Sequence, residues 1–299
     1  SMRVFGDCGP FPKVSSIQVS STSNGLYVVG ATERDQVNIT NLTFAVGNMN
    51  YTSTTVNISA GDSGQFASSV SVQHMDRNII NCNGVMMNGT VVAGNGFDIG
   101  DSSNITIMNC NIFSWSKAIN FDTLGATSSI QNVTITNNLI NNSNGSTTGA
   151  IHFTDDNVYN NLIINNTFNG IEAGASAIAF IQFSGGGNYN TIKNNTFTDS
   201  VAPEVTANHG IWFRAGAQYN NVTNNTFNMT NETSSTTNYA ITIDNSTTAD
   251  NNTIWRNIFL NLEQPVQDEG DNRNFWNVSE LGNFWGVYDT STERCTTNN

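Results

Sequence analysis

The chain has 299 residues and a formal net charge of −13, from 10 Lys and Arg residues against 23 Asp and Glu residues. So few basic residues exclude a nucleic-acid-binding protein and also exclude binding to an anionic membrane surface. No run of about 18 apolar residues occurs, so we expect no helix inserted in a membrane.

Residues 1–75 have the composition of strands but no regular spacing. The segments 26–30 and 37–44 are rich in branched and aromatic residues, which are typical of strands. We predict that they form an N-terminal cap and irregular first coils of the repeat that follows, because the open end of a repeat protein exposes unpaired strand edges.

A regular repeat occupies residues 76–263. Its phrase is Asn-(Ile/Val)-Thr-x-Asn-Asn-x-(Phe/Ile), and we expect the last, apolar position to anchor the core. Successive anchors differ by 28, 27, 28, 29, 30 and 32 residues; they are Val85, Phe113, Ile140, Phe168, Phe197, Phe227 and Phe259.

Between these phrases lies a second apolar run with period two, as in Ile151-His152-Phe153 and Ile211-Trp212-Phe213. Such alternation indicates strands, and no stretch has a sustained helical period. Short strands that recur once per circuit predict an all-β, right-handed, single-stranded parallel β-helix of about 8–10 coils with a cap at each end.

Each Asn-Asn pair has a predicted place at a bend between strands. Asn tolerates the left-handed backbone region, and its amide can bond its copies above and below. We expect the ladder to consist of Asn137, Asn165, Asn194 and Asn224. The Asn-x-Thr sequons that begin at ladder residues should then be buried.

Crowded aromatic residues mark the segment 264–299, among them Phe275, Trp276, Phe284 and Trp285. We interpret the segment as a C-terminal cap, with a ligand platform as the alternative. The chain is therefore predicted to be one domain with three parts, 1–75, 76–263 and 264–299.

The Asn-Asn-Thr-Phe repeats resemble the family of secreted β-helix proteins that includes the periplasmic copper-maturation protein NosD. The wider, pectate-lyase-like group contains carbohydrate-binding proteins and sugar hydrolases, and similar repeats occur in adhesin-like surface proteins. The resemblance implies the fold and an extracellular, cell-surface or periplasmic location. The resemblance does not indicate one function, because these repeats are structural and recur on proteins with unrelated roles.

The outward residues of the second strand predict a carbohydrate-binding face. If these strands stack in register, one column contains Asp98, Asn120, His152, Ala179, Trp212 and Thr242, and the next contains Gly100, Asp122, Thr154, Ile181, Arg214 and Asp244. Trp212 offers an aromatic ring for a sugar, and Arg214 a donor for a hydroxyl or carboxylate. The predicted binding residues are Asn120, Trp212, Arg214 and Asp244.

The same face carries candidate catalytic residues: Asp122, His152, Asp155, Asp156 and Arg214. Neighbouring carboxylates, a histidine and an arginine can act as acid and base or hold a cation, with Ca²⁺ as the possible cofactor. This alternative is a polysaccharide lyase or a glycoside hydrolase. Ordinary solvated residues on a polar face are the competing interpretation.

Soft metal ligands cluster early in the chain: His74, Met75, Cys82, Met86 and Cys110. Thiolate, thioether and imidazole together suit copper. Cys82 and Cys110 also lie one period apart, so a disulfide between adjacent coils and a stack of free thiols both remain open.

The sequence therefore predicts a surface β-helix that presents a polar face to a polysaccharide or to another cell-envelope glycan. A non-catalytic role is favoured over a lyase or hydrolase, and copper handling is the third alternative. The composition and the repeats leave the oligomeric state open.

Overall fold

The computed structural model is a parallel β-helix, which confirms the predicted fold class. It describes residues 76–82, 84, 86–88, 95–113, 115–123, 129–141, 149–170, 178–198, 207–229, 237–244, 248–262, 265–269, 273–278 and 281–286, and eight backbone strands within residues 2–73. Within these ranges there is no helix, and every named strand pairs in parallel. The right-handed winding stays a prediction, supported by the general rule for parallel crossovers.

Three long sheets form the sides of the solenoid, and each successive coil adds a strand to them. In the described part of the chain, the first sheet has eleven strands: Met2–Gly6, Leu26–Gly30, Val56–Ala60, Ser68–Gln73, Asn95–Gly100, Lys117–Phe121, Ile151–Phe153, Ile178–Phe183, Ala207–Phe213, Thr237–Ile243 and Val266–Asp268.

The second sheet follows the first along each coil. Its main strands are Lys13–Val14, Asn38–Thr40, Asp76–Asn81, Ser103–Met108, Thr134–Thr136, Leu162–Ile164, Thr191–Lys193, Asn221–Thr223 and Thr253–Trp255. The short strands Ile130–Gln131 and Val158–Tyr159 extend it.

The third sheet completes the circuit. Its strands are Met86–Asn88, Asn111–Phe113, Leu139–Asn141, Thr167–Asn169, Thr196–Thr198, Thr226–Asn228, Ile258–Leu260 and Phe284–Trp285. A separate pair, Ile17–Val19 and Leu42–Phe44, lies near the start of the chain. Strands from residues 2–73 join the same sheets as the later ones, while the division into three parts stays a prediction.

The aromatic anchors form a single file through the interior, as the repeat predicts. Phe168, Phe197 and Phe227 stack with centroid distances of 4.7 and 4.5 Å. Phe259 and Trp285 continue the stack. All of the phenylalanines in the file are at most 1% exposed, and stacked rings of this kind each add to core stability beyond their buried area.

One predicted anchor is wrong. Ile112, and not Phe113, pairs with Ile140 in the file, whereas Phe113 pairs with Asn141 on the outside. Strand alternation allows only one of two adjacent apolar residues to point inward, and Ile112 takes that place. Val85 lies outside the described residues, and Met87 occupies its register position opposite Ile112.

The asparagine ladder exists, but it consists of the second Asn of each pair. Asn166 donates to Asn195 Oδ1 at 3.0 Å, and Asn195 donates to Asn225 Oδ1 at 3.0 Å. The full ladder contains Asn138, Asn166, Asn195, Asn225, Asn257 and Asn283.

The residues predicted as the ladder have the other role at the bend. Asn137, Asn165, Asn194 and Asn224 adopt φ values of 55° to 57° and are exposed. The prediction was therefore wrong by one position, and the sequons that begin at Asn165, Asn194 and Asn224 are exposed rather than buried. The left-handed residue turns the chain outward, so the next residue is the one that faces the core.

A second ladder, which the repeat phrase did not reveal, lies at the bend before the second sheet. Its members are Asn161, Asn190, Asn220, Asn252 and Asn274, joined by amide contacts of 3.0 or 3.1 Å. In both ladders each side-chain oxygen also accepts the backbone N–H of the preceding rung. The ladders thereby satisfy buried polar groups that the bends would otherwise leave unpaired.

Cys82 and Cys110 form a disulfide with a Cα–Cα distance of 4.8 Å. The bond settles the alternative that the spacing left open. Cys110 N donates to Asn138 Oδ1 at 2.9 Å, so the disulfide occupies the ladder column immediately before its first asparagine. No helix in the described part of the chain is long and apolar enough to cross a membrane.

Candidate functional site

The candidate site lies on the outer face of the first sheet. Its strands are in register, so the residues between the inward Ile and Phe positions form an outer column: Asp98, Asn120, His152, Gln182, Trp212 and Thr242. A second series of outward residues lies two positions after the outer column along each coil, and we call it the outer row. It contains Asp122, Thr154, Ser184, Arg214 and Asp244.

Both predicted columns were wrong at one coil. Gln182 stands where Ala179 was expected, and Ser184 where Ile181 was expected. The strand Ile178–Phe183 contains two successive Ile-x-Phe phrases, and its second phrase is the one in register. Ile181 is therefore buried in the core.

Most of the outer column is polar yet buried, and Trp212 is its half-buried aromatic member. Asn120 is 2% exposed, His152 5% and Gln182 1%. Gln182 Oε1 has no hydrogen-bond partner within the described residues. The outer row differs, because Thr154, Ser184, Arg214 and Asp244 are half-buried and Asp122 is exposed. A ligand that approaches this face therefore meets the row first.

A chain of hydrogen bonds connects the row to the buried column across four coils. Ser184 Oγ lies 2.7 Å from His152 Nε2. His152 Nδ1 lies 3.4 Å from Asn120 Oδ1, and Asn120 Nδ2 donates to Asp98 Oδ1 at 2.8 Å. Lys117 Nζ also donates to Asn120 Oδ1, at 3.1 Å.

Burial sets the charge states of the side chains in this hydrogen-bonded series. Desolvation lowers the pKa of His152 to about 3, and the positive charges of Lys117 and Arg214 add to the effect. Desolvation also raises the pKa of Asp98, against the hydrogen bond from Asn120, and lowers the pKa of Lys117, against the attraction of Asp122 and Asp98. The imidazole of His152 is therefore neutral at physiological pH.

Trp212, Arg214 and Asp244 are brought together as predicted, but their contacts are largely with each other. Trp212 Nε1 donates to Asp244 Oδ1 at 2.6 Å, and Arg214 Nε donates to Asp244 Oδ2 at 3.2 Å. The Arg214 guanidinium lies 4.9 Å from the centroid of the Trp212 ring, and the His209 ring stacks on it at 4.5 Å. Asn120, the fourth predicted binding residue, lies three coils away in the buried column.

Two of the predicted acidic residues, Asp155 and Asp156, occupy a turn beside the row, and the third, Asp122, belongs to the row. Asp155 accepts hydrogen bonds from Thr123 Oγ1 at 2.5 Å and from Asn157 N at 3.0 Å. The carboxylate of Asp156 lies against Gly186 and Gly216, where a Cβ atom would collide with it. Desolvation and the neighbouring charge of Asp155 raise the pKa of Asp156. Asp122 accepts from Thr154 Oγ1 at 3.4 Å.

The early soft ligands are not brought together as a copper site by the described residues. Cys82 and Cys110 are joined in the disulfide, which leaves neither as a thiolate. His74 and Met75 lie outside the described residues, and of Met86 only the backbone is described. Within the described ranges, no group of three or more His, Cys, Asp or Glu side chains is arranged to hold a metal ion.

A pair of exposed tyrosines is a feature that the sequence reasoning missed. Tyr189 and Tyr219 stack with centroids 5.0 Å apart, and they are 56% and 47% exposed. Both have a positive φ, 57° and 56°, at the bend position that Asn160 and Asn251 occupy in other coils. A bulky residue in this region is strained. The available signal was a Tyr directly before the ladder residues Asn190 and Asn220.

Residues 187–290 match the family described as periplasmic copper-binding protein (NosD). This part of the chain is similar to NosD. The match confirms the resemblance that the repeats suggested, over about a third of the chain. No curated protein sequence matches the chain.

Solved structures with a related course of the chain include the surface protein and adhesin PfbA of Streptococcus pneumoniae, at 13% identity, 95% coverage of this chain, 91% of that chain and a TM-score of 0.35. The A-module of the mannuronan C-5 epimerase AlgE6 of Azotobacter vinelandii has 12% identity, with 92% and 89% coverage and a TM-score of 0.28. The tailspike of E. coli bacteriophage HK620, solved with a pentasaccharide, has 11% identity, with 93% and 58% coverage and a TM-score of 0.35. Similarity at this level transfers no function.

The segment similar to NosD does not itself fit copper. Residues 187–290 contain one histidine, His209, one methionine, Met229, and no cysteine. Both side chains are buried, and His209 Nδ1 already contacts Thr242 Oγ1 at 2.7 Å. A copper site needs several soft or imidazole ligands on one ion, so the match carries the repeat fold without a ligand set.

Proposed function

We propose that this protein is an extracellular or cell-surface β-helix whose outer row binds an extended neutral glycan without cleaving its glycosidic bonds. The row itself carries the proposal. Asp122, Thr154, Ser184, Arg214 and Asp244 lie on successive coils, with hydrogen-bonding groups at the strand spacing of about 4.8 Å. A chain of sugars with regularly repeated hydroxyl groups suits such a linear series of donors and acceptors.

The charge of the row favours a neutral ligand. Arg214 is the cation of the row, and its guanidinium is already paired with Asp244. Asp122 adds negative charge within the row, and Asp155 and Asp156 add negative charge beside the row. A polyuronate would therefore meet repulsion, whereas sugar hydroxyls can donate to the carboxylates and accept from Arg214.

The location outside the cytoplasm is supported by two observations. The Cys82–Cys110 disulfide suits an oxidising compartment. The segment 187–290 is similar to a family described as periplasmic.

A glycan array followed by calorimetry tests the proposal. The purified protein should retain neutral glycans, and Arg214→Ala and Asp244→Asn should each weaken binding by roughly tenfold, the effect of about 1.4 kcal/mol. Thr191→Ala is the matched control, because this half-buried residue faces outward on the second sheet. The affinity of this variant for the glycan should be unchanged.

Failure to bind any neutral glycan would contradict the proposal. Equal losses in Thr191→Ala and Arg214→Ala would also contradict it, because the row would then have no special role. Shortening of a bound glycan chain would favour the lyase or hydrolase alternative.

A further inference from the structure

We propose that Ser184 is a nucleophile activated by His152, and that the protein hydrolyses carboxylic esters through an acyl-serine intermediate. The carrying observation is the hydrogen-bonded series from Ser184 through His152 and Asn120 to Asp98. A serine, a histidine and an orienting side chain in contact are the arrangement that nucleophilic catalysis requires. The inference does not depend on glycan binding.

The neighbours of Asn120 fix the tautomer of His152. The ammonium of Lys117 only donates, so the Asn120 atom 3.1 Å from it is the oxygen. The Asn120 nitrogen then faces Asp98, as the contact at 2.8 Å requires. Because Asn120 Oδ1 also faces His152 Nδ1, that nitrogen carries the proton. The lone pair of Nε2 is left to accept the Ser184 hydroxyl at 2.7 Å.

Ser184 stands apart from the equivalent residue on the preceding coil. Thr154 has the same place in the outer row, and its hydroxyl donates to Phe121 O at 2.8 Å. Ser184 Oγ lies farther, 3.2 Å, from the corresponding Phe153 O and nearer, 2.7 Å, to His152 Nε2. The geometry thus directs the hydroxyl hydrogen of Ser184 to the imidazole.

The two catalytic residues differ in access as the reaction needs. Ser184 is half-buried in the outer row, where an ester can reach it, whereas His152 is 5% exposed beneath it. The imidazole is neutral at physiological pH because burial lowers its pKa to about 3. The same low pKa makes it a weak base, so we expect slow turnover.

The chemical steps require only the Ser184 hydroxyl, His152 Nε2, the ester and water. Ser184 Oγ attacks the ester carbonyl carbon while its proton moves to His152 Nε2. The bond from the carbonyl carbon to the alcohol oxygen then breaks, and the proton passes from Nε2 to the departing alcohol. Water repeats the sequence on the acyl-serine, which releases the carboxylic acid and restores the Ser184 hydroxyl. Asn120 acts as a positioning residue.

The positive charge of Arg214 on the next coil supports the assignment. Arg214 occupies the outer-row position next to Ser184, so its guanidinium, although paired with Asp244, adds positive charge beside the attacking hydroxyl. Fixed positive charge near a developing oxyanion lowers the barrier to acyl transfer.

A fluorophosphonate probe and p-nitrophenyl acetate test the proposal on the intact protein. We expect one probe per chain, and mass spectrometry of the labelled peptide should place it on Ser184 without the need for a variant. Ser184→Ala should lose the label and about 100-fold of the hydrolysis rate, and His152→Gln should lose both to a similar extent. Thr198→Ala removes a half-buried hydroxyl that donates to the Phe168 carbonyl on the third sheet, away from the outer row, and should keep both.

The positioning role of Asn120 needs its own measurement. Asn120→Ala should lower kcat for p-nitrophenyl acetate and leave KM unchanged, because the imidazole would be free to adopt the wrong tautomer. A circular-dichroism melt of each variant shows that it is folded.

An unlabelled native protein would overturn the proposal, and so would a label on another residue. A His152→Gln variant that is folded and labelled as fast as the native protein would do the same. Glycan binding by the native protein would be untouched by any of these outcomes, so a failure here is distinguishable from a failure of the proposed function.

Discussion

At the scale of single residues, the Asn-Asn pairs show how two identical neighbours acquire opposite roles. Asn194 has a positive φ and is exposed, whereas Asn195 is 1% exposed and bonded on both sides. The sequence predicts that a ladder exists, because both features favour Asn. It does not show which residue is inward, since that depends on where the left-handed turn falls relative to the strand.

Asn194→Ala and Asn195→Ala should therefore differ strongly in the free energy of unfolding. Loss of the Asn195 side chain removes the hydrogen bonds that it makes with the Asn166 backbone N–H and the Ile163 carbonyl, both at 2.9 Å, and should cost roughly 3–5 kcal/mol. Alanine at Asn194 only meets the left-handed strain, about 1–2 kcal/mol. Denaturant titration of both variants measures the difference.

Asn194→Gly is the control for the turn, because glycine adopts positive φ freely and should be close to neutral. Equal destabilisation by the two alanine variants would contradict the assignment of the ladder to the second Asn.

His152 and His209, which are both buried, should make the protein sensitive to acid. Burial lowers the pKa of both His152 and His209 to about 3, while in the unfolded chain each returns to about 6.5. The unfolded state therefore binds more protons between these values, and stability should fall as the pH is lowered from about 6.5 towards 3. Each histidine contributes at most about 1.4 kcal/mol per pH unit in this window.

The raised pKa of Asp98 acts in the opposite direction. At pH values just above the usual pKa of an aspartate, the folded state binds more protons at Asp98 than the unfolded state does. It offsets part of the loss. Denaturant titration at several pH values measures the net slope, and His209→Gln should reduce it. An unchanged slope in that variant would mean that His209 is not neutral in the folded protein.

At the scale of the strand, the first sheet shows a case in which the repeat phrase alone does not determine the register of a strand. Ile178–Phe183 offers two phrases of equal quality, and choosing the first one moved Ala179 and Ile181 into the predicted outer columns. Only the pairing of Phe153 with Phe183 selects the second phrase. The residues that this choice conceals, Gln182 and Ser184, are the ones that change the interpretation of the site.

The disulfide joins the bends that follow the strands Asp76–Asn81 and Ser103–Met108, at the beginning of the ladder. It closes a loop with a sequence separation of 28 residues, for which the chain-entropy estimate is about 3.5 kcal/mol. The double variant Cys82→Ser, Cys110→Ser should lose about this much in denaturant titration. Reduction of the native protein should reproduce the loss.

Adding the same reductant to the double variant is the control, and it should change nothing. A native protein whose stability is unaffected by reduction would show that the coil pairing alone fixes the ends of this loop.

At the scale of the whole molecule, the ladders, the phenylalanine file and the outer row all run along the solenoid. The repeat predicts the first two kinds of column because core packing dictates residue type once per coil. The site was less predictable. Period-two alternation places Asn120, His152 and Thr242 on the outer side but says nothing about their burial, at 5% exposure or less, and so concealed the hydrogen-bonded series beneath the row.

The overall charge should decide which glycans the outer row accepts. With a net charge of −13, the protein repels polyanions, and salt screens this repulsion over a Debye length of about 8 Å at physiological ionic strength. Binding of a neutral glycan should therefore change little between about 20 and 500 mM salt, because hydroxyl contacts carry it. A polyuronate of equal length should bind weakly at low salt and, if anything, gain from screening. Calorimetry at both salt concentrations separates the cases, and a polyuronate that binds tightly at low salt and is released at high salt would show that a positive surface, and not the acidic row, makes the contact.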